Sequence, residues 1–170
     1  MDALECLLTR KSVKSYKPDP VPSELLEKIL EAGTYAPTGR NLQAPIIIAV
    51  TDKKVRDELS ALNASVLGAQ SDPFYGAPVV LVVLAKKEVR TRVYDGSLVM
   101  GNLMLAAHAL GLGGCWIHRA KEVFEMPEGK ALLEKLGLND EYEGIGNCIV
   151  GYPAAEPVAK PRKENWIYRV

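Results

Sequence analysis

Residues 10–45 read RKSVKSYKPDPVPSELLEKILEAGTYAPTGRNLQAP, and this stretch decides the fold. Its centre, residues 23–36, has apolar residues at the three- and four-residue spacing of an α-helix, and Pro37 ends that helix. A polar segment with three prolines precedes the helix, and a polar loop follows it. The stretch therefore predicts an extended segment, a helix and a loop that leads into the next strand.

Outside this stretch, short apolar runs alternate with amphipathic segments. Runs rich in β-branched residues predict buried strands at 45–51 and 78–85, and further strands at 113–118 and 144–153. Helical spacing predicts helices at 3–10, 52–67, 94–112 and 126–138. Helices and strands are mixed without a strict βαβ repeat, so we predict an α+β fold with a single domain over residues 1–170.

Composition excludes several classes of protein. The 170 residues include 21 Lys and Arg against 21 Asp and Glu, so we expect no nucleic-acid partner and no membrane partner. The apolar runs are shorter than the roughly 18 residues of a membrane span, and the first residues do not resemble a secretory signal. Cys6, Cys115 and Cys148 have neither CxxC nor metal-ligand spacing, so we expect buried free thiols, no metal site and a cytoplasmic location.

Two clusters of cationic residues stand near opposite ends of the chain. Side chains at positions 10, 12 and 14 share one face of an extended segment, and a proline keeps the late cluster extended as well. A phosphate monoester carries about −1.5 to −2 charges and three acceptor oxygens, which cations from two segments suit. Each cluster alone is also typical of solvated surface. The candidate anion ligands are Arg10, Lys11, Ser12, Lys14, Lys160 and Arg162.

The polar loop after Pro37 is a second candidate site. Asn41 and Gln43 each present a donor and an acceptor, as the edge of a planar heterocycle requires, although a satisfied helix-to-strand turn also explains them. The glycines of GLGG and GIGNCIVG lack the order and position of a dinucleotide-binding or phosphate-binding loop. His108 is expected in the core, and His118 is placed to line a pocket.

Together these segments resemble the nitroreductase family of flavoproteins. The resemblance rests on RKSVKSY, on APTGRNLQAP about two dozen residues later, on DGSLVMGNLMLAAHALGLGGCWI and on VGYPAAEPVAKPR, in the family's order. It implies an α/β sandwich, with a central mixed sheet flanked by helices, that forms an intertwined homodimer. It also implies one FMN, tightly but non-covalently bound, in each of two interface sites, and it makes residues 155–170 an arm that wraps the partner subunit.

The resemblance also implies which residues bind the cofactor. The phosphate, ribityl chain and pyrimidine edge are expected along Arg10, Ser12 and Lys14, with Lys11 contributing its backbone and with Lys160 and Arg162 completing the phosphate site. The other subunit is expected to contribute Pro37, Thr38, Gly39, Asn41 and Gln43. The segment beside the isoalloxazine, where a backbone N–H approaches N5, matches Cys115, Trp116, Ile117 and His118. No catalytic side chain is expected, because flavin N5 does the chemistry.

The implied activity is ping-pong transfer of electrons from NAD(P)H through the flavin to a small oxidised acceptor such as a nitroaromatic or a quinone. Two departures from the family pattern bear on the acceptor: the loop reads QAP where many members have QPW, and the middle region is only SVLGAQSDPFYGAP. The alternatives are a flavin store or sensor without turnover, a relative that uses FMN for dehalogenation or flavin breakdown, and a structural dimer without cofactor.

Overall fold

A computed structural model gives the fold and describes residues 1–139 and 141–170. The helices are α1 (Ala3–Thr9), α2 (Ser23–Thr34), α3 (Lys53–Leu67), α4 (Arg92–Ala109), α5 (Ala120–Glu125) and α6 (Pro127–Lys135). The strands are β1 (Pro45–Val50), β2 (Val79–Lys86), β3 (Gly113–Ile117) and β4 (Tyr142–Gly151). The predicted helices and strands are confirmed, and α5 is an addition. Arg119 precedes α5 in a left-handed conformation and provides no side-chain cap, so the sequence carried no start signal for this six-residue helix.

The four strands form one sheet in the order β1-β2-β4-β3, and each neighbouring pair is antiparallel. After β1, helix α3 and the following loop return the chain to the same end of the sheet. Val50 at the end of β1 therefore lies opposite Val80 near the start of β2. The predicted α+β class is therefore confirmed. The resemblance implied a mixed sheet, which contains parallel as well as antiparallel pairs. In the described part of the chain, the only parallel pairing is an isolated bridge between Ser12 and Gly114.

Helices cover both faces of the sheet. Val80, Val82 and Leu84 of β2 point toward α3, α5 and α6, whereas the alternate residues of the same strand point toward α2 and α4. Burial on both faces explains why β2 reads as an uninterrupted apolar run. The result is a helix–sheet–helix sandwich with a hydrophobic core on each side.

Strand β1 corrects one prediction. The run 45–51 was expected to be a buried strand, but β1 is at the edge of the sheet and its residues 45–48 are only half-buried. An apolar run alone does not distinguish an edge strand from a central strand. A groove of about 630 Å³ runs along this strand beside α2, so the residues that the structure describes leave part of this apolar edge uncovered.

The C-terminal segment leaves large apolar side chains in contact with solvent. Residues 152–154 pair with residues 15–17 near the N-terminus. The residues that follow, 155–170, contain neither helix nor strand. Trp166, Ile167 and Tyr168 are all exposed. Within the described ranges, no helix combines the length and apolar character needed to cross a bilayer.

Candidate functional site

The extended segment after α1 is held against the first residues of β3. The backbone N–H of Val13 donates to the carbonyl of Gly114 at 3.2 Å, and the Val13 side chain is buried. A Cβ at Gly113 would lie 2.6 Å from a methyl group of Val13, so this close approach requires glycine at position 113. Because side chains alternate along extended backbone, burying Val13 turns Ser12 and Lys14 to the opposite side.

The C-terminal segment runs back along the same region. The backbone N–H of Lys17 donates to the carbonyl of Tyr152 at 2.9 Å, and the N–H of Ala154 donates to the carbonyl of Ser15 at 3.0 Å. The Lys11 ammonium then forms an ion pair of 3.1 Å with Glu156. These contacts fix the direction in which the last residues leave the body of the protein.

The two cationic clusters consequently line one cavity of about 580 Å³. Its wall includes the side chains that the sequence marked as anion ligands: Arg10, Lys11, Ser12, Lys14, Lys160 and Arg162. Lys11 is the member already engaged by a carboxylate, whereas Nη1 of Arg10 is buried and has no hydrogen-bond partner among the residues that the structure describes. A buried guanidinium N–H without a partner is costly, so this atom is placed to receive an acceptor from a bound anion.

Strand β3 pairs with the cationic segment through a bridge between Gly114 and Ser12, but the predicted site residues from Cys115 to His118 do not line the cavity. Cys115 and Ile117 pack in the core on the side of α3, α5 and α6, whereas Trp116 packs against the core on the side of α2 and α4. The ring centroids of Trp116 and His118 are 5.8 Å apart. Burial raises the pKa of Cys115, although the Ser12 hydroxyl and the cations Lys14 and Arg10 act in the opposite direction. Cys115 is therefore a neutral thiol at physiological pH, not an activated nucleophile.

The chain just beyond β3 is fixed by buried amides that sequence reasoning did not single out. The Asn63 side chain donates to the His118 carbonyl at 2.8 Å, and Asn147 donates to the same carbonyl at 3.3 Å. Asn63 also accepts a hydrogen bond from Arg119 at 2.9 Å. His118 itself is exposed. Asn63 is completely buried, and only the folded chain shows this, so no sequence pattern marked it.

The loop that contains Pro37, Thr38, Gly39, Asn41 and Gln43 is built around a short 3₁₀ turn, Gly39–Asn41. The backbone N–H of Gly39 donates to Asp95 at 2.9 Å, and the Thr91 hydroxyl donates to the other oxygen of that carboxylate at 2.8 Å. Asp95 is only 3% exposed, so it is the buried anchor of the loop. Sequence reasoning missed it, although it is a carboxylate within an otherwise apolar helical stretch.

This loop does not line the cationic cavity of its own protomer. It is anchored at Asp95 in the first turn of α4, whereas α1, which leads into Arg10, contacts the last turn through a 2.8 Å hydrogen bond between Thr9 and His108. Asp95 and His108 are 13 positions apart in α4, which corresponds to about 20 Å along the helix axis. His108 is half-buried at this contact and not in the core as predicted.

The fold and these segments can be compared with known proteins. The model of the nitroreductase family matches residues 7–156. The chain belongs to the nitroreductase family. That assignment follows from a match over most of the chain, including the cationic segment, the loop and β3.

Related proteins agree with the family assignment. A crystal structure of a nitroreductase with bound FMN from Bacteroides fragilis NCTC 9343 superposes on this chain with a TM-score of 0.90. The two chains are 26% identical, and the comparison covers 100% of each. The Escherichia coli K12 relative YdjA, whose name describes an NAD(P)H nitroreductase, is 32% identical to this chain. The match covers 90% of this chain and 89% of YdjA. The FMN reductase [NAD(P)H] of Bacillus subtilis strain 168 is 26% identical over 95% of this chain and 70% of its own.

Proposed function

We propose that this nitroreductase-family protein is an FMN-dependent oxidoreductase that passes electrons from NAD(P)H to a small oxidised acceptor, such as a nitroaromatic or a quinone. The observation that carries the proposal is the convergence of Arg10 and Lys14 with Lys160 and Arg162 around one cavity. The two clusters are about 150 positions apart in the sequence, and a common anion explains why the fold brings so many cations together.

The cavity suits the phosphate and ribityl parts of FMN. Its volume of about 580 Å³ is within the range of roughly 300–1,000 Å³ that is typical of cofactor sites. Arg10, Lys160 and Arg162 would hold the phosphate, and the unpartnered Nη1 of Arg10 would gain a charged acceptor. The Ser12 hydroxyl would donate to the phosphate or to the ribityl chain. Among the described residues of the wall, Glu156 is the only carboxylate, so little negative charge opposes a bound phosphate.

The remaining residues would orient the ring system and select its charge state. When bound, FMN supplies the chemistry: it takes two electrons from a reduced nicotinamide and gives them to the acceptor in a second half-reaction. The Lys14 ammonium would stabilise negative charge at the pyrimidine edge. The β3 segment from Cys115 to His118 would place backbone groups beside the ring, and the neutral Cys115 thiol would take no part in bond making.

A second copy of the chain would complete the site. The loop of Thr38, Asn41 and Gln43 lies about 20 Å along α4 from the Arg10 end of its own protomer, so it would reach a flavin held by the partner subunit. Exposed apolar side chains on α1 and α4, among them Leu8 and Tyr94, provide the surface for a homodimer. Residues 155–170 would wrap the partner and bury the exposed apolar side chains near the C-terminus. The free buried cysteines are consistent with the proposed cytoplasmic location.

The proposal is tested by visible spectroscopy of the FMN-loaded protein. We expect one FMN per chain, bleaching of the flavin absorbance by NADH or NADPH under anaerobic conditions, and recovery when a nitroaromatic or a quinone is added. Bound flavin that no nicotinamide bleaches would instead identify a flavin store or sensor. A protein that binds no FMN would refute the proposed function.

The dimer is tested separately from the phosphate site. The double variant Ile167→Ser, Tyr168→Ser removes exposed apolar surface from the arm and leaves the residues that line the cavity, among them Trp166, unchanged. Sedimentation at several protein concentrations should show a dimer for the natural chain and a weaker dimer for the variant. A monomeric natural chain that retains FMN would contradict the proposed two-subunit site.

A further inference from the structure

The loop between α3 and β2 is held by one carboxylate. Asp72 accepts hydrogen bonds from the Ser60 hydroxyl, from the Arg56 guanidinium, from the backbone N–H of Phe74 at 2.8 Å and from that of Gly76 at 2.7 Å. Although burial of Asp72 works against ionisation, these donors lower the pKa of its carboxyl. The Arg56 guanidinium also lies 5.5 Å from the Phe74 ring centre, so the loop is clamped on both sides.

Within this clamped loop, Tyr75 has an uncommon backbone conformation. Its φ of +53° is in the left-handed region, which a bulky side chain rarely adopts and which glycine adopts without penalty. The next residue, Gly76, also has a positive φ of +75°. A glycine at position 75 would form the turn more easily, so a tyrosine at this position points to a task for its ring.

The Tyr75 ring lies next to the candidate cofactor site. Its centre is 5.9 Å from Nζ of Lys14, within the range of a cation–π contact, and 41% of the residue remains exposed. Among the residues that the structure describes, no carboxylate forms an ion pair with Lys14. The ring is therefore the group that limits where the flexible Lys14 side chain carries its charge.

We propose that Tyr75 is a positioning residue for Lys14, and that the loop clamped by Asp72 keeps its ring against the ammonium so that the charge faces the pyrimidine edge of FMN. This inference rests on the proposed function. It assigns a role to the loop between α3 and β2. An unrestrained Lys14 side chain would occupy many rotamers and carry its charge into solvent. A restrained Lys14 ammonium stabilises the reduced cofactor, which has gained negative charge, more than it stabilises the oxidised cofactor.

The contact is first tested without flavin. In the flavin-free protein, the Lys14 ε-methylene protons should show an upfield ring-current shift by NMR. That shift should persist in Tyr75→Phe and disappear in Tyr75→Leu. A Lys14 signal that is the same in Tyr75→Leu and the natural chain would overturn the contact itself.

The role is tested by the two-electron midpoint potential of bound FMN. Tyr75→Leu and Tyr75→Gly should lower the potential by about 15–30 mV, which corresponds to a loss of about threefold to tenfold in preference for the reduced cofactor. Tyr75→Phe should leave the potential unchanged. In a Lys14→Met background, Tyr75→Leu should have no further effect, because the charge that the ring positions is absent.

The Tyr75→Gly variant separates positioning from a merely structural role. Removal of the backbone strain should leave the melting temperature equal or higher, while the potential falls. An unchanged potential in a Tyr75→Gly protein that binds FMN normally would overturn the role of Tyr75 alone, as would an effect that persists in the Lys14→Met background. A natural chain that binds no FMN would overturn the proposed function and this inference together.

Discussion

Replacement of Arg10 by methionine should have opposite effects on stability and on cofactor binding. In the protein without FMN, Nη1 of Arg10 is buried without a partner, and an unsatisfied buried polar group costs about 1–3 kcal/mol. Methionine has a similar length and no polar hydrogen, so Arg10→Met should raise the free energy of unfolding by about 1 kcal/mol. For a domain of this size, that change raises the melting temperature by roughly 2–4 °C.

The same replacement should weaken FMN binding. One hydrogen bond to a charged group contributes about 1.5–3 kcal/mol, so the dissociation constant should rise by about 10- to 150-fold. Thermal unfolding of flavin-free protein at one fixed concentration and titration by flavin fluorescence measure the two effects. Arg162→Met is the matched control: Arg162 is exposed, so its loss should weaken FMN binding by a similar factor without stabilising the flavin-free protein. Arg10→Met with the natural affinity for FMN, or with a lower free energy of unfolding than the natural chain, would refute the reasoning.

Three further predictions concern the surroundings of the site. A Cβ at Gly39 would lie 2.5 Å from the Thr91 hydroxyl, so Gly39→Ala should destabilise the protein by about 1–3 kcal/mol in urea unfolding and weaken FMN binding. The lowered pKa of Asp72 means that its stabilisation is present above the ordinary aspartate pKa of about 3.9 and is lost as the pH falls through the folded-state value. Unfolding measured from pH 6 down to about 3 should therefore show a steeper loss of stability for the natural chain than for Asp72→Asn. The three cysteines are buried and burial raises the pKa of Cys148 to about 12, so iodoacetamide should label them at neutral pH only after unfolding, as mass spectrometry would show.

The sequence predicted the fold well where local patterns carry the information. Periodic apolar spacing marked α2 and α3, and the Asp52 side chain caps α3 by accepting from the Val55 N–H at 2.9 Å. Residues without a local signal escaped prediction. α5 is short and uncapped, and the edge position of β1 depends on strand order, which a single apolar run does not encode.

The sequence predicted the individual segments of the candidate site, but it did not show how they come together in the folded chain. Extended backbone predicted Ser12 and Lys14 on one side, but long-range contacts of the folded chain bring Lys160 into the same cavity. These are the hydrogen bonds between 15–17 and 152–154 and the ion pair of Lys11 with Glu156. Asp95 and Tyr75 were missed for a related reason. Burial makes Asp95 an anchor, and a left-handed φ draws attention to Tyr75; both properties exist only in the folded chain.

The central claim is that cations from two distant segments bind the phosphate of FMN, and the comparison of FMN with riboflavin tests it most directly. Riboflavin has the same ring system and ribityl chain but no phosphate. Because several charged hydrogen bonds of about 1.5–3 kcal/mol each would be absent, we expect FMN to bind at least about 100-fold more tightly than riboflavin. We also expect this ratio to shrink in Arg10→Met and Arg162→Met. Equal affinities for the two flavins would contradict the account.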